Sequence, residues 1–321
     1  MSPRIRSGRR LLKALLPVAL LIALAVAAFV GWVVYSATHP PRRAYLVTPE
    51  KFAQLSTRGT KATDVSWPNR DGTQARGWLL AGGEGAPAVI LLHRYGADRS
   101  WVLNLGVKLN ETLNYTVLWP DLRGHGENPT VATTTFGARE AEDVRSALAY
   151  LRSLKTPQGR PVAAERFGLY GVELGAYAAL VAARDEPQVQ ALALDSLPET
   201  PDQMLLDAVR VNTGIQNPLL RQLARGGARI YFLGDYRSLS ACPVAETLDD
   251  RRVLLLAGED APQLRASAEL LAKCFPNPAN VEARTNLPVT GFTLATAPAE
   301  QGESYDRLVI AFFSRALAAT P

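Results

Sequence analysis

A run of 24 residues without a charged side chain, 14–37, constrains the first part of this chain more than any other feature. Leu, Ala, Val and Ile dominate the run, and a helix needs about 20 such residues to cross the hydrocarbon core of a bilayer. Pro17 lies near its beginning, where a helix tolerates proline better. Trp32 and Tyr35 lie near its end, and such aromatic side chains favour the membrane interface. The run predicts one transmembrane helix over 14–37.

Cationic residues lie on both sides of this run. They are Arg4, Arg6, Arg9, Arg10 and Lys13 within 1–13, and Arg42 and Arg43 after the run. This excess predicts a cytoplasmic N-terminus and a globular body on the exported (periplasmic or extracellular) side of the plasma (inner) membrane. A cleaved signal peptide is the competing interpretation, but its apolar region is only about 7–15 residues long. The bulky Tyr35 also lies where a cleavage site would need a small residue, so a single-pass signal anchor is the prediction.

The remainder of the chain is not basic, although the whole carries a net charge of +5. Without the seven flanking cations, 28 Lys and Arg residues face all 30 Asp and Glu residues, the first of which is Glu50. A nucleic-acid-binding domain is expected to carry clustered positive charge. We therefore expect no nucleic-acid partner, and the membrane, through residues 14–37, is the partner that the basic residues indicate.

Beyond about residue 60, short apolar runs alternate with helical patterns. The runs typical of strands are 75–80, 88–92, 115–119, 167–170, 191–194, 252–257 and one that begins at Val281. This alternation predicts an α/β domain with a mostly parallel sheet of about eight strands and helices on both faces. The strand rhythm stops over 198–236, which is predicted to be a small helical cap. Residues 61–197 and 237–321 are then the core, and 38–60 a linker.

Three motifs follow predicted strands in a fixed order. They are HRYG at 93–96, DLRGHG at 121–126 and GVELG at 171–175. Their order and spacing resemble the α/β-hydrolase superfamily, particularly its esterase and serine-peptidase-like branch, over about residues 72–318. The resemblance implies an α/β-hydrolase fold behind the transmembrane helix.

The third motif matches the family's nucleophile elbow, a sharp turn from strand into helix whose middle residue is the nucleophile. This sequence has Glu173 at that position, where a serine is expected. The resemblance places the oxyanion donors at the backbone N–H groups of Tyr95 and Leu174. It also places Arg94 where family members usually have a glycine. The glycine leaves space for substrate, whereas Arg94 places a long cation there.

The other two positions of a catalytic triad also follow from the resemblance. The acid position is Asp260, with neighbouring Glu259 as the alternative because the spacing is one residue shorter than usual. The general base is expected in the loop after the last strand, and Phe292 occupies the place of its histidine. The resemblance therefore implies a degenerate triad.

The chain's three histidines, His39, His93 and His125, all precede the elbow. His39 is juxtamembrane, and we expect the other two to have structural roles in their motifs. Serine chemistry needs both a hydroxyl and a base that takes its proton. Neither is present at the matching positions, which argues against serine-hydrolase activity.

Three functions are compatible with these residues. In the first, Arg94 and Glu173 form an ion pair that closes the site, and the protein is a pseudoenzyme that binds or scaffolds an unknown small-molecule or protein ligand. In the second, the protein hydrolyses esters, epoxides or halides with Glu173 as carboxylate nucleophile or general base. In the third, a serine triad lies elsewhere, and Ser196 is its one candidate.

Two cysteines, Cys242 and Cys274, would lie in an oxidising compartment if the body is exported. They form either a disulfide or two buried thiols. The sequence has no metal-ligand spacing and no phosphate-binding glycine loop, so we expect neither a metal nor a cofactor.

Overall fold

The computed structural model describes residues 3–55, 62–127, 129–236 and 239–318, with side chains from residue 15 onward except that of residue 55. The chain begins with one long helix, α1 (Pro3–Thr38), which contains Pro17 without ending there. Within it, Leu15–Thr38 is long and apolar enough to cross a membrane, and only 11% of its most apolar stretch is buried against the rest of the protein. The predicted N-terminal apolar helix is therefore present.

The described residues form one eight-stranded sheet. Its strands are β1 (Thr63–Pro68), β2 (Gln74–Leu80), β3 (Ala86–Leu92), β4 (Thr116–Pro120), β5 (Ala163–Val172), β6 (Val189–Asp195), β7 (Arg252–Gly258) and β8 (Val281–Leu287). Their order across the sheet is β1-β2-β4-β3-β5-β6-β7-β8. β2 is antiparallel to both β1 and β4, and all pairs from β4 to β8 are parallel. The predicted mostly parallel sheet of about eight strands is confirmed.

The strands differ in burial according to their place in the sheet. The central strands are almost wholly apolar and buried, as expected where helices cover both faces. β1 is an edge strand in which Trp67 is buried while Thr63 and Asp64 are exposed. β1 was not predicted, because this short polar edge strand has little of the apolar signal by which β2 to β7 were recognised.

Further helices follow α1 in the described residues. They are α2 (Pro49–Leu55), α3 (Leu103–Leu113), α4 (Ala138–Ser153), α5 (Leu174–Ala183), α6 (Pro201–Thr213), α7 (Pro218–Tyr231), α8 (Ala241–Ala245), α9 (Pro262–Leu271) and α10 (Ala299–Ala316). α4 and α5 contribute to the core on one face, and α3 and α10 to the core on the other. α2 lies in the segment 38–60 that was predicted to be a linker, and its Phe52 packs against the second of these cores.

Two helices, α6 and α7, lie between β6 and α8, within the predicted cap 198–236, and are called the cap helices below. The side chain of Thr200 caps α6, and that of Asn217 caps α7. The carboxyl-terminal end of α1 packs against both. At this junction Asn212 Nδ2 donates to Ser36 O at 2.7 Å. The last turns of the apolar helix are thus packed against the globular domain through α6 and α7.

Cys242 in α8 and Cys274, just after α9, form a disulfide. Of the two possibilities that the sequence left open, the structure therefore has the disulfide. The disulfide joins α8 to the turn after α9. Helix α9 packs on β7 and β8.

Candidate active site at the elbow

The elbow is a strained turn between β5 and α5. Glu173 has φ +49° and ψ −102°, a backbone conformation that non-glycine residues rarely adopt. The flanking glycines permit the turn, because a Cβ at Gly171 would lie 2.3 Å from the backbone carbon of Gly175. A Cβ at Gly175 would lie 2.5 Å from the carbonyl oxygen of Leu92. The turn therefore requires glycine two positions before and two positions after Glu173.

The carboxylate of Glu173 turns back onto the backbone of the preceding motif. Its Oε2 accepts a hydrogen bond from Tyr95 N at 3.0 Å, and the side chain is buried, with the residue 7% exposed. Burial raises the pKa of Glu173 to about 7, although the charge of Arg94 and the N–H groups of Tyr95 and Leu174 lower it. These are the two N–H groups that the resemblance assigned to an oxyanion. The residue's own carboxylate therefore faces the donors that a substrate oxygen would use.

Arg94 does not form the predicted ion pair with Glu173. Within the described residues, no contact shorter than 4.0 Å joins the two charged groups; instead, Arg94 Nε donates to Phe292 O at 3.1 Å and NH1 donates to Tyr95 O at 3.0 Å. The guanidinium carbon lies 4.8 Å from the ring centroids of both Trp101 and Phe292. The prediction of a direct pair is wrong, because the guanidinium of Arg94 contacts aromatic faces and backbone carbonyls instead of the carboxylate. Its charge still acts on Glu173 through space.

Phe292 lies in the segment 288–293, called the β8–α10 loop below. Its backbone N–H donates to Thr290 Oγ1 at 3.2 Å, and its ring lies against the guanidinium of Arg94. A phenyl ring neither accepts nor donates a proton. The position that the resemblance gives to a general base is therefore occupied by a side chain that binds a cation instead.

Asp260 supports the same loop from the end of β7. Its Oδ2 accepts hydrogen bonds from Thr290 N at 3.1 Å, Thr290 Oγ1 at 2.8 Å and Thr293 Oγ1 at 2.7 Å. The neighbouring Glu259 is exposed. Of the two candidates for the acid position, Asp260 is thus the one whose carboxylate reaches the β8–α10 loop.

A second buried carboxylate, Asp195 at the end of β6, contacts both the elbow and the loop. Its Oδ2 accepts hydrogen bonds from Gly291 N at 2.6 Å and from Tyr305 Oη, and its backbone oxygen accepts one from Glu173 N at 2.9 Å. Burial raises the pKa of Asp195 to about 6, although the hydrogen bonds to its carboxylate lower it. Asp195 was not predicted to be a site residue. The available signal was an acid that directly follows the apolar run 191–194.

Ser196 follows in the same turn and is fully buried. Its hydroxyl donates to Asp195 Oδ1 at 2.8 Å. A nucleophilic serine needs a base that accepts its proton, and in the described structure the group bonded to this hydroxyl is the carboxylate of its own neighbour. The geometry offers no support for a serine triad at this position.

His93 and His125 hold loops together. His93 accepts from Leu122 N through Nε2 at 3.0 Å and contacts Arg94 O through Nδ1 at 2.8 Å, while His125 Nδ1 contacts Arg123 O at 2.8 Å. Burial lowers the pKa of His93 to about 4 and that of His125 to about 3, so both rings are neutral near pH 7. His39 Nδ1 contacts Tyr35 O at 2.9 Å at the end of α1.

In the part of the chain that the structure describes, no three His, Cys, Asp or Glu side chains come close enough together to hold a metal ion. The chemistry of the site therefore has to be considered from Glu173, Asp195, Asp260 and Arg94.

No protein-family model and no curated protein sequence matches this chain, whereas solved structures match its fold. An esterase from Pyrococcus furiosus is 20% identical with a TM-score of 0.62, over 88% of this chain and 98% of that one. A dienelactone hydrolase from Anabaena variabilis is 15% identical with a TM-score of 0.54, over 80% and 99%. An acylaminoacyl peptidase from Pyrococcus horikoshii is 15% identical with a TM-score of 0.55, over 80% of this chain and 42% of that one.

These similarities, together with the strand order, show that the chain has the α/β-hydrolase fold, as the sequence predicted. At such low identities the likeness extends to the fold alone. The side chains at the elbow have to decide the chemistry, since one fold supports many activities.

Proposed function

We propose that this protein is a membrane-anchored α/β-hydrolase-fold protein that lacks serine-hydrolase activity and binds a small-molecule or protein ligand. One observation carries the proposal: the Glu173 carboxylate accepts a hydrogen bond from Tyr95 N, a donor that an acyl-transfer enzyme needs for its substrate oxyanion. Removing one such donor from a hydrolase costs about 100- to 1000-fold in rate. Here the donor is occupied before any substrate arrives.

The rest of the site supports the same proposal. A serine hydrolase needs a hydroxyl at the elbow and a histidine beside it. The elbow has Glu173 instead, and the ring of Phe292 stacks on Arg94 where the histidine would be. His93 and His125 are neutral and engaged with backbone groups. The site thus lacks both the nucleophile and the base of serine chemistry.

The anchoring part of the proposal is supported by the exposed surface of α1. Leu16 and Leu21 are 67% and 66% exposed, and each such side chain would favour lipid over water by roughly 1.5–3 kcal/mol. The disulfide between Cys242 and Cys274 suits an exported, oxidising compartment. We propose a cytoplasmic N-terminus and a body on the exported side of the plasma membrane.

Hydrolysis of p-nitrophenyl acetate by the full chain in lipid nanodiscs tests the catalytic part. We expect wild type and Glu173→Gln to be indistinguishable from the uncatalysed rate, and no labelling by a fluorophosphonate probe. A wild-type rate that Glu173→Gln abolishes would contradict the proposal. So would labelling of wild type that Ser196→Ala removes, because it would reveal a serine nucleophile.

A second candidate function is favoured by the pKa of Glu173, which lies at about 7. A general base works best when its pKa is near the working pH, and a carboxylate can also act as a nucleophile. Attack of the carboxylate on an epoxide carbon forms an ester bond and breaks the ring C–O bond, and the resulting alkoxide takes a proton from water. The hydroxy ester carries the whole mass of the epoxide. Incubation with styrene oxide followed by intact mass measurement tests this route, with Glu173→Gln as the control. An adduct on wild type alone would establish the carboxylate as a nucleophile.

A further inference from the structure

The cap helix α7 has an exposed apolar stripe. Leu219, Leu223 and Ile230 are 67%, 36% and 74% exposed. Their spacing of four and seven residues places them on one side of the helix. Contiguous apolar surface of this kind marks interaction sites on folded proteins.

The other side of α7 is polar and is bound within the cap. Arg225 Nε donates to Asp202 Oδ2 of α6 at 2.7 Å, and Arg229 lies 3.8 Å from the same oxygen. Tyr236 Oη donates to the other oxygen of Asp202 at 2.6 Å. Arg225 and Arg229 of α7 thus pair with Asp202 of α6, while the apolar stripe faces outward.

The stripe lies beside the contact between α7 and α1. A Cβ at Gly227 would lie 2.7 Å from Val30 and 3.0 Å from Val34, so the two helices touch where a side chain is missing. Leu223 and Ile230 are rotated by only about 40–60° from Gly227 around the helix, at 100° per residue. The stripe therefore points to the same side of the cap as α1.

The contact also has a defined level along α1. Counting about 20 residues from the end of the basic segment places the end of the hydrocarbon span near Val34. Trp32 and Tyr35 lie at this level and are 53% and 56% exposed, as expected of interfacial aromatic side chains. Since α7 packs on Val30 and Val34, it lies at the depth where α1 leaves the hydrocarbon.

We infer that the stripe of Leu219, Leu223 and Ile230 is a membrane-docking surface that inserts into the exported-side leaflet around α1. Its partner is the lipid bilayer, and the inference rests on the proposed anchoring by α1. Amphipathic helices bind bilayers in this way, with the apolar face at the boundary between headgroups and acyl chains. The last turn of α1 also reaches the candidate site, since Tyr95 Oη donates to Ala37 O at 2.8 Å. Tyr95 thus joins the exported-side end of α1 to the elbow, since its backbone N–H donates to Glu173.

Spin-label accessibility in nanodiscs that hold one full chain each tests this inference. A nitroxide is attached to Ile230→Cys, and its collisions with oxygen, which concentrates in lipid, are compared with those of a water-soluble nickel chelate. Gln222→Cys is the matched control, because Gln222 is exposed on another side of the same helix. Leu24→Cys in α1 reports on the anchor itself.

We expect oxygen collisions to dominate at Ile230→Cys and Leu24→Cys, and nickel collisions to dominate at Gln222→Cys. If Leu24→Cys is in lipid while Ile230→Cys matches Gln222→Cys, the docking surface is overturned and the anchor stands. If Leu24→Cys is also in water, the proposed anchoring itself fails. If Ile230→Cys becomes shielded from both reagents only in discs that hold two chains, the stripe binds a second copy and the inference is overturned.

Discussion

The elbow and the β8–α10 loop face each other across the candidate site and differ in what holds them. The elbow depends on space, since the glycines at its flanks let strand and helix approach within van der Waals contact. The loop depends on charge, since the carboxylates of Asp195 and Asp260 accept its hydrogen bonds. Neither the glycines of the elbow nor the two carboxylates that hold the loop require a particular side chain at Glu173 or Phe292. The α/β-hydrolase backbone therefore does not depend on catalytic side chains at these positions, and a chain can adopt the fold without them.

Filling the space at the elbow is expected to have the largest effect. Gly171→Ala places a Cβ 2.3 Å from the backbone of Gly175, and we expect it to lower the free energy of unfolding by about 3–5 kcal/mol. Gly226→Ala in α7 is the control, because no atom lies within 4 Å of its Cβ; alanine there should be neutral or stabilise by up to about 1 kcal/mol. Denaturant unfolding in detergent measures both. Equal stability of the two variants would show that the elbow is not limited by space.

Removing the charge that supports the loop is expected to have the next largest effect. Asp195→Ala leaves Gly291 N and Tyr305 Oη without their acceptor in a buried place, which should cost about 3 kcal/mol. Glu259→Ala, which removes an exposed carboxylate nearby, should change stability by less than about 0.5 kcal/mol. Proteolysis of the native protein should cut the β8–α10 loop faster in Asp195→Ala only. Unchanged stability and cleavage would contradict the role of Asp195.

The charge of Glu173 is expected to make stability depend on pH. Burial raises its pKa from 4.5 to about 7, so the folded state binds this proton more tightly than the unfolded state. The contribution of Glu173 to stability is therefore fully present below pH 4.5 and is lost as the pH rises through 7. Glu173→Gln does not titrate, and its advantage over wild type should grow across this window by roughly 3 kcal/mol. Unfolding at several pH values measures the difference, and a difference that stays constant would exclude the raised pKa.

The smallest effect is expected from replacing Arg94, because its charge acts on Glu173 without direct contact. Its charge lowers the pKa of Glu173, so Arg94→Met should raise that pKa further, by an amount worth about 1 kcal/mol or less. The pH window described above should then move upward, whereas Arg94→Lys should leave it near its wild-type position. A downward movement in Arg94→Met would mean that the cation does not act on the carboxylate.

The fold was largely predictable from the sequence. The strands β2 to β7 were identified because most of their side chains are apolar and buried, and hydrophobic periodicity is the main strand signal in a sequence. The beginning of β8 was identified at Val281, although this edge strand is mostly polar. β1 was missed because it lies at the edge of the sheet and four of its six side chains are exposed. The elbow was identified from Gly171, Glu173 and Gly175, whose spacing follows from the local geometry of a tight turn.

The side-chain contacts of the site were less predictable. The ion pair between Arg94 and Glu173 was expected from their charges, but the guanidinium lies between Trp101 and Phe292 instead. Asp195 was overlooked because its partners, Gly291 and Tyr305, come from a distant part of the chain. A sequence specifies which groups are present, and it does not specify toward which of several partners each one turns.

The sequence by itself determined the long apolar helix, the parallel α/β architecture and the glycine-flanked turn with Glu173 at its centre. These properties depend on composition and on local periodicity. Only the tertiary structure decided that the Glu173 carboxylate bonds to Tyr95 N and that α7 packs on α1 at the level of Val30. Such contacts join segments far apart in the chain, and the competition among buried partners that selects them exists only once the chain is folded.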